Sequence, residues 1–546
     1  MKRNYFVAGV LLFGMLLTGC GKDNEFSPEV EPGFEGKMEE VTPLESKSRL
    51  QNIGLEFVDA IDATTHDNLI GVTYYVGEKL SYFDVDRNYT DKLSELVSIS
   101  GGYEDEYYAH IHNVNPVEAI QGMMAMSLDV AQNGAQLATR VDDIFMFTLK
   151  AGLKDLYGGF KPNMKTEKWE YNQNITDRLE IEFTDDQKQT WVATLKGSKE
   201  TTNVRVAVEK ISQWKDNYMD WSDEGGYHEK FNISLEIPTL ITFVVKCNNA
   251  EVVNLTVNSN LAFDADMFSN HNSEYKSGFD ENDNWFYDNK YESKLDLKVD
   301  YTNLNLDASL DVNGYNETWK TTATKSGFES KAEVKINGKS MLKAEAALAA
   351  DVDALITQLC EESTGSWQYS SYDDDDYEED EDFKFISTTI KNFAVKIDVM
   401  GKAQIYGKCD SFEQMYKALL DDDKYYDYEN DIFNFEEYAK YVDRVNDTYS
   451  ITVHYDNTKT VQANIEFEAY EYESEWDEGY MYHDIRPILI FAADNSRYTF
   501  EDYFTENSFK DFVDAIEDLA EEFDDMYGDY FEEDVVYPDY GEDYHK

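Results

Sequence analysis

Leu295-Asp296-Leu297-Lys298-Val299-Asp300-Tyr301 and, after Thr302-Asn303, Leu304-Asn305-Leu306-Asp307-Ala308-Ser309-Leu310-Asp311-Val312 alternate between apolar and polar side chains. Successive side chains of a strand point to opposite sides, so a period of two buries one face and wets the other, the mark of long antiparallel strands. The same period extends upstream. It covers Leu179, Ile181 and Phe183, Trp191, Ala193 and Leu195, Val204, Val206 and Val208, Ile233, Leu235 and Ile237, Phe243, Val245 and Cys247, and Val253, Leu255 and Val257. Downstream it resumes with Phe393, Val395, Ile397 and Val399, then Ile451, Val453 and Tyr455, then Val461, Ala463, Ile465 and Phe467. Asn313-Gly314 and Asn337-Gly338 accept the positive φ of a type I′ hairpin turn and sit between such runs. Asn248-Asn249 and Met400-Gly401 are weaker versions of the same signal. Val245-Lys246 and Val334-Lys335 each precede one of these turns, a faint internal echo.

Four stretches read as helix, one of them at 351–361 just before the acidic run. Thr42-Pro43-Leu44-Glu45 is a capping box with proline at the first helical position, followed by Leu50, Ile53, Phe57, Val58 and Ile61 on one side. Asn115-Pro116-Val117-Glu118 repeats that start before Ile120, Met123, Met124, Ser127, Leu128 and Ala131; the Met123, Met124 and Met126 cluster is read as core filler. Near the end, Phe509, Phe512, Val513, Ile516, Leu519, Ala520, Phe523 and Met526 form a stripe that needs a sheet to cover. The expected fold class is therefore α+β: a helical N-terminal segment, then long antiparallel meandering β-sheet with covering helices. The expected divisions are 1–19 signal peptide, 20–41 N-terminus and flexible tether, 42–162 helix-rich segment, and 163–361 antiparallel β domain. An acidic loop at 362–384, a second β-rich part with its helix at 385–526 and an acidic tail at 527–546 follow.

Lys2 and Arg3 precede an apolar run from Phe6 to Leu17, the length of a secretory h-region and too short to span a bilayer. Leu17-Thr18-Gly19-Cys20 resembles the lipobox of bacterial lipoproteins, which implies cleavage before Cys20, acylation of Cys20 and anchorage in the outer membrane through those acyl chains. Lys22-Asp23-Asn24-Glu25 resembles the lipoprotein-export signal of Bacteroides-type bacteria and implies display on the cell exterior. Without the resemblance, the first segment is an ordinary signal peptide and the second the start of a polar tether.

The chain has 111 acidic and 48 basic residues; removing 1–19 takes Lys2 and Arg3 with it and leaves a formal charge of −65. Nucleic acid and anionic headgroups need Lys/Arg clusters, so nucleic-acid binding is excluded as a function class. With 42% hydrophobic residues, 40 Tyr and 31 Phe, the chain is nonetheless composed to bury sizeable cores. Cys247, Cys360 and Cys409 show no CxxC spacing, so neither a zinc site nor a disulfide framework is indicated, and their pairing stays open.

No nucleophile elbow, HExxH, P-loop or dinucleotide fingerprint occurs, and no catalytic residue or cofactor is assigned. His110 and His112 lack a third ligand nearby. Asp280-Glu281-Asn282-Asp283-Asn284 fails the EF-hand pattern because Trp285 replaces the glycine. Asp264, Asp266, Asp351 and Asp353 are weak calcium candidates, with plain solvated carboxylates as the alternative. Trp214, Trp221 and Tyr227 beside Gly225-Gly226, and Trp285 with Tyr287, read as loop aromatics that either pack those loops or stack on sugars. The leading expectation is a non-catalytic surface lipoprotein that binds glycan, protein or ions. A large sheet roofed by helices also resembles in outline the lipoprotein-carrier half-barrels that shelter an acyl chain, and a glycan hydrolase is the third reading.

Overall fold

The computed structural model describes residues 33–61, 67–85, 89–90, 113–114, 116–133, 137, 153–218, 221–279, 285–355, 389–419, 426–427, 432–473 and 481–531. Helix α1 (Pro43–Val58) starts at the expected capping box: the Thr42 side chain accepts from the Glu45 amide, and the Glu45 carboxylate accepts from the Thr42 amide at 2.9 Å. It is followed by α2 (Asp67–Tyr75) with a π-helical continuation, then β1 (Asp84–Val85), β2 (Tyr89–Thr90), β3 (Asn113–Val114) and α3 (Pro116–Asn133). Next come β4 (Gly158–Asn163), β5 (Lys168–Asn172), β6 (Leu179–Thr184) and β7 (Thr190–Gly197).

Two long hairpins then interrupt a meander. The first pairs β8 (Thr201–Tyr218) with β9 (Trp221–Pro238). After β10 (Leu240–Cys247) and β11 (Ala250–Asn260), the second pairs β12 (Phe263–Phe279) with β13 (Trp285–Asp300). The meander continues through β14 (Leu304–Val312), β15 (Tyr315–Thr324), β16 (Gly327–Ile336), β17 (Lys339–Ala350), β18 (Ile390–Val399) and β19 (Ala403–Cys409). Helices α4 (Phe412–Leu419) and α5 (Phe435–Asn446) bracket the ribbon β20 (Tyr426–Asp427) and β21 (Ile432–Phe433). The last strands are β22 (Ser450–Tyr455), β23 (Ala463–Glu473), β24 (Met481–Phe491) and β25 (Arg497–Thr499), and α6 (Phe500–Tyr503) and α7 (Lys510–Phe531) follow.

The large sheet has 17 strands. Its pairings run β1, β5, β4, β6, β7, β10, β11, β14 and on through β15 to β19, then β22 to β25; only β1 with β5 and β4 with β6 are parallel. The two hairpins form a second, four-stranded sheet in the order β13, β12, β8, β9, joined by the parallel pair β8 and β12. Thr302-Asn303 is therefore a crossing between sheets: Leu295–Tyr301 leaves the four-stranded sheet and Leu304–Val312 enters the large one. β17 pairs with β18, so the strands before and after the acidic run belong to one sheet.

The largest core joins both sheets to α2 and α3, with Leu304, Leu306, Ala308, Leu310 and Val312 buried beside Val204, Phe263, Leu69 and Ile120. All the residues expected on the inner face of α3 are buried, the three methionines included. Helix α1 lies elsewhere. It packs against α7 over the C-terminal strands, with Ile53 near Ala403 and Tyr455 and Leu50 near Leu489 and Phe491. Order also begins before Thr42. Phe34 is buried, and backbone bonds from Glu35 to Asn457 and from Lys459 to Gly36 hold 33–41, expected as tether, around the β22–β23 turn. Phe34 stacks on His454 at 4.0 Å on the sheet face opposite Tyr455, so the strap passes from one face to α1 on the other.

Candidate functional site

Strands β18, β19, β22, β23 and β24 present one apolar row by register: Ile397, Ile405, Val453, Ala463 and Phe491. Val399, Ala403 and Tyr455 form the next row, and Ile465 with Leu489 lie beyond. Above them stand Leu50, Ile53 and Gly54 of α1, Phe500 and Tyr503 of α6, Phe509 just before α7, and Phe512 and Val513 in its first turn. Sheet and roof do not close on each other. They enclose a cavity of about 510 Å³, inside the roughly 300–1,000 Å³ range of small-molecule sites. Ile397 and Ile405 line it yet remain 38% and 42% exposed, and Phe504 is 45% exposed, so the cavity opens along an apolar lip.

Gly54 sets the height of the roof. A Cβ at this position would sit 2.6 Å from the Phe512 ring, so the missing side chain lets α7 rest on the backbone of α1. Gln51 donates to Asp511 at 2.8 Å and Lys47 to Ser508 at 3.2 Å, which fixes the helix pair outside the cavity.

No Asp, Glu, Lys, Arg or His lines this cavity among the described residues, in a chain that is 29% charged. Three of its wall residues, Ser46, Tyr455 and Tyr503, carry hydroxyls and are themselves buried. Ser46 Oγ lies 2.5 Å from the Tyr455 hydroxyl, and the Tyr503 hydroxyl donates to the Pro43 carbonyl at 3.2 Å. Burial pushes both phenols above the ordinary tyrosine range, so they stay neutral donors. Lys47 and Arg49 stack on the rings of Tyr503 and Tyr455, and Arg49 also pairs with Asp456. Gln404 and Gln462 line the floor but spend their amides elsewhere: Gln462 Oε1 accepts from the Val41 amide at 2.8 Å, and Gln404 Oε1 from the Asn457 amide at 3.0 Å.

A larger groove, about 1,010 Å³, lies on the four-stranded sheet beside Trp214, Gly225, His228 and Glu274. It is open and lined by charges that already have partners, such as Glu274 with Lys276 at 2.9 Å; that ion pair, with Lys290 and Lys215 nearby, holds the Glu274 carboxyl below its usual range. The smaller cavity is the better candidate because it is both sheltered and almost wholly apolar.

The expected loop aromatics are on strands. Trp214 is on β8, Trp221 and Tyr227 on β9, Trp285 and Tyr287 on β13. Gly225-Gly226, read as a loop signal, is the stretch of β9 opposite Gln213 and Trp214, and the Trp214 ring covers the space where a Gly225 side chain would stand. Paired residues share a face, and β8 pairs with β12, so positions 214, 221, 227, 285 and 287 all belong to one face of the four-stranded sheet. Trp214 is 36% exposed.

The calcium candidates are distributed differently. Arg205 bonds both Asp264 and Asp266, at 2.7 Å to the second, with Asp266 the first cause of its raised basicity. Lys325 pairs with Asp353 at 3.0 Å, and Asp351 Oδ1 accepts from the Ala354 amide. Among the described residues, no group of three or more His, Cys, Asp or Glu could hold a metal ion. Cys247 and Cys409 are free thiols. Cys20, Lys22, Asp23, Asn24, Glu25, His110, His112, the 280–284 stretch, Cys360 and the acidic run at 373–382 lie outside the described residues.

Ser46, Gly54, Tyr455 and Tyr503 were missed by pattern. Periodicity marks which face is apolar, not how far two apolar faces stand apart. The available signal was a glycine in mid-helix among Ile53, Phe57 and Val58, where a close backbone approach is the usual reason for one. No protein-family model, no curated protein and no solved structure matches this chain.

Proposed function

We propose that the chain is a lipid-anchored protein of the outer membrane, displayed on the cell exterior, that shelters an apolar ligand between its C-terminal strands and the α1–α7 roof. The observation that carries this reading is the cavity itself: about 510 Å³, without a charged wall residue among the described residues, open along the lip of Ile397, Ile405 and Phe504. Apolar cavities of this kind hold water poorly, because a water needs two to four polar partners, and they take apolar guests. The lipobox around Cys20 and the signal at Lys22-Asp23-Asn24-Glu25 support the location. Protease shaving of intact cells tests it: a chain degraded only after lysis contradicts display.

The ligand reading is tested with the neutral probe N-phenyl-1-naphthylamine. Saturable binding with blue-shifted emission is expected, and Ala463→Phe, which fills the floor, should abolish it. Equal binding by the variant, or none by the wild type, removes the reading.

A second reading is favoured by one separate observation. The ladder register puts positions 214, 221, 227, 285 and 287 on the face of the four-stranded sheet that also carries buried Val204, Val206 and Val208, and Trp214 on it is 36% exposed, as a ring that stacks on a sugar must be. Retention on a glycan array that is lost in Trp214→Ala would support it, and retention unchanged by that variant would take Trp214 out of the case.

A further inference from the structure

Among the described residues, the four-stranded sheet ends on two strands with an open side, β9 and β13. They are 18 and 16 residues long, against a usual strand of about five or six. An open edge of that length is a template for another strand unless a bulge, a glycine or proline, or repelling charges blunt it. β9 is interrupted by Gly225-Gly226 and closes on Pro238. β13 contains neither residue type, and its ladder with β12 runs without a register shift. Its charges alternate in sign: Lys290, Glu292, Lys294, Asp296, Lys298 and Asp300 share one face, and all six are exposed.

We infer that β13 is the docking edge for a second copy of this chain, the two strands pairing antiparallel about a two-fold axis at Ser293 to build one eight-stranded sheet. Opposed residues of an antiparallel pair share a face. With the axis at an odd-numbered position, a series that changes sign at every second residue meets its opposite; at an even-numbered position every lysine would meet a lysine. Of the favourable registers, Ser293 gives the longest overlap, positions 286 to 300. Lys290 then faces the partner's Asp296, Lys294 the partner's Glu292 and Lys298 the partner's Asp288. On the other face, Leu295 comes opposite the partner's Tyr291 and Val299 opposite the partner's Tyr287, aromatic with aliphatic. Lys294 also touches Asp296 of its own strand at 2.5 Å, an exposed contact that gives way at little cost. The two bodies stand at opposite ends. The core covers the sheet up to Val208 and Met267, in register with Leu297, whereas Trp214, in register with Tyr291, is 36% exposed. The partner's Leu297 falls beside position 289, and the two Asp300 positions lie about 48 Å apart along the strands at about 3.4 Å per residue.

Sedimentation velocity of the full chain in mild detergent tests the pairing. A species of twice the single-chain mass that grows with protein concentration is expected. Lys294→Glu sets like charges opposite each other at two places and should weaken association at least about tenfold. Adding Glu292→Lys to that variant exchanges the two signs and should restore it, which a general loss of fold would not allow. The register is read by oxidation with copper phenanthroline: Ser293→Cys should give a disulfide-linked dimer on a non-reducing gel, and Leu295→Cys should not. A monomer at every concentration overturns the inference. So does a dimer that Lys294→Glu leaves as tight as before, or one linked through Leu295→Cys in place of Ser293→Cys.

Discussion

Gly54 is the residue on which the roof turns. Alanine there would gain up to about 1 kcal/mol of helix propensity, but its Cβ would meet the Phe512 ring at 2.6 Å. Overpacking of that kind costs about 1–3 kcal/mol, so Gly54→Ala should destabilise the fold by about 1 kcal/mol and weaken probe binding; urea unfolding and probe titration measure the two effects separately. His454 carries a second, pH-dependent effect. Burial holds its imidazole below the ordinary histidine range, and nearby Lys396 acts in the same direction, against the raising effect of the Thr458 and Thr460 carbonyls. The folded chain therefore binds this proton less readily than the unfolded chain, so the contribution is present above the unfolded value of about 6.5 and is lost as pH falls toward the lower folded value. The wild-type urea midpoint should fall between about pH 7 and pH 5, and His454→Gln should flatten that part of the curve. Identical slopes for the two proteins would show that the strap under Phe34 stays closed over a protonated ring.

At the scale of elements, the turns were legible because their chemistry is local. Asn313, Gly314, Asn337 and Gly338 all have positive φ, as do Asn248, Asn249, Met400 and Gly401. The echo of Val245-Lys246 and Val334-Lys335 has a structural cause: each pair marks a register shift just before its turn, in two hairpins built by the same device. A Cβ at Gly338, φ +77°, would meet nothing within 4 Å, so substitution there isolates the backbone cost. Gly338→Val should lower stability by about 1–2 kcal/mol, read as a shifted urea midpoint with an unchanged slope; no shift would mean the turn relaxes freely. What stayed illegible was partnership at a distance. Alternation in Leu295–Tyr301 and Leu304–Val312 reports two half-buried strands but not that they enter different sheets. The stripe of α7 shows that it needs cover, not that the cover is α1, over 400 residues earlier. Nor does the stripe show where cover ends: Phe509 is buried, whereas Ile516 is 44% exposed. The strand aromatics at 214–227 and 285–287 were hidden for a related reason, since a glycine pair looks like a loop until the strand opposite supplies the ring that covers it.

The whole molecule is held together against its own charge. Many of its ion pairs, such as Lys161 with Glu182 and Lys331 with Glu345, are solvent-exposed, and such pairs contribute about 0–1 kcal/mol each. They cannot balance a surplus of 63 acidic groups over basic ones. Repulsion among those carboxylates acts over about 30 Å at 0.01 M salt and about 10 Å at 0.1 M, so screening relieves the folded state more than the expanded chain. Raising NaCl from about 10 mM to about 200 mM should therefore raise the thermal midpoint by a few degrees, measured by circular dichroism at constant pH. The sign is the informative part. A fall would mean that screened pairs, Arg205 with Asp264 and Asp266 among them, outweigh the repulsion. A rise that leaves the probe affinity of the cavity unchanged would separate the two environments this chain maintains: a shell whose energetics salt can adjust, and a charge-free chamber under Gly54 that salt does not reach.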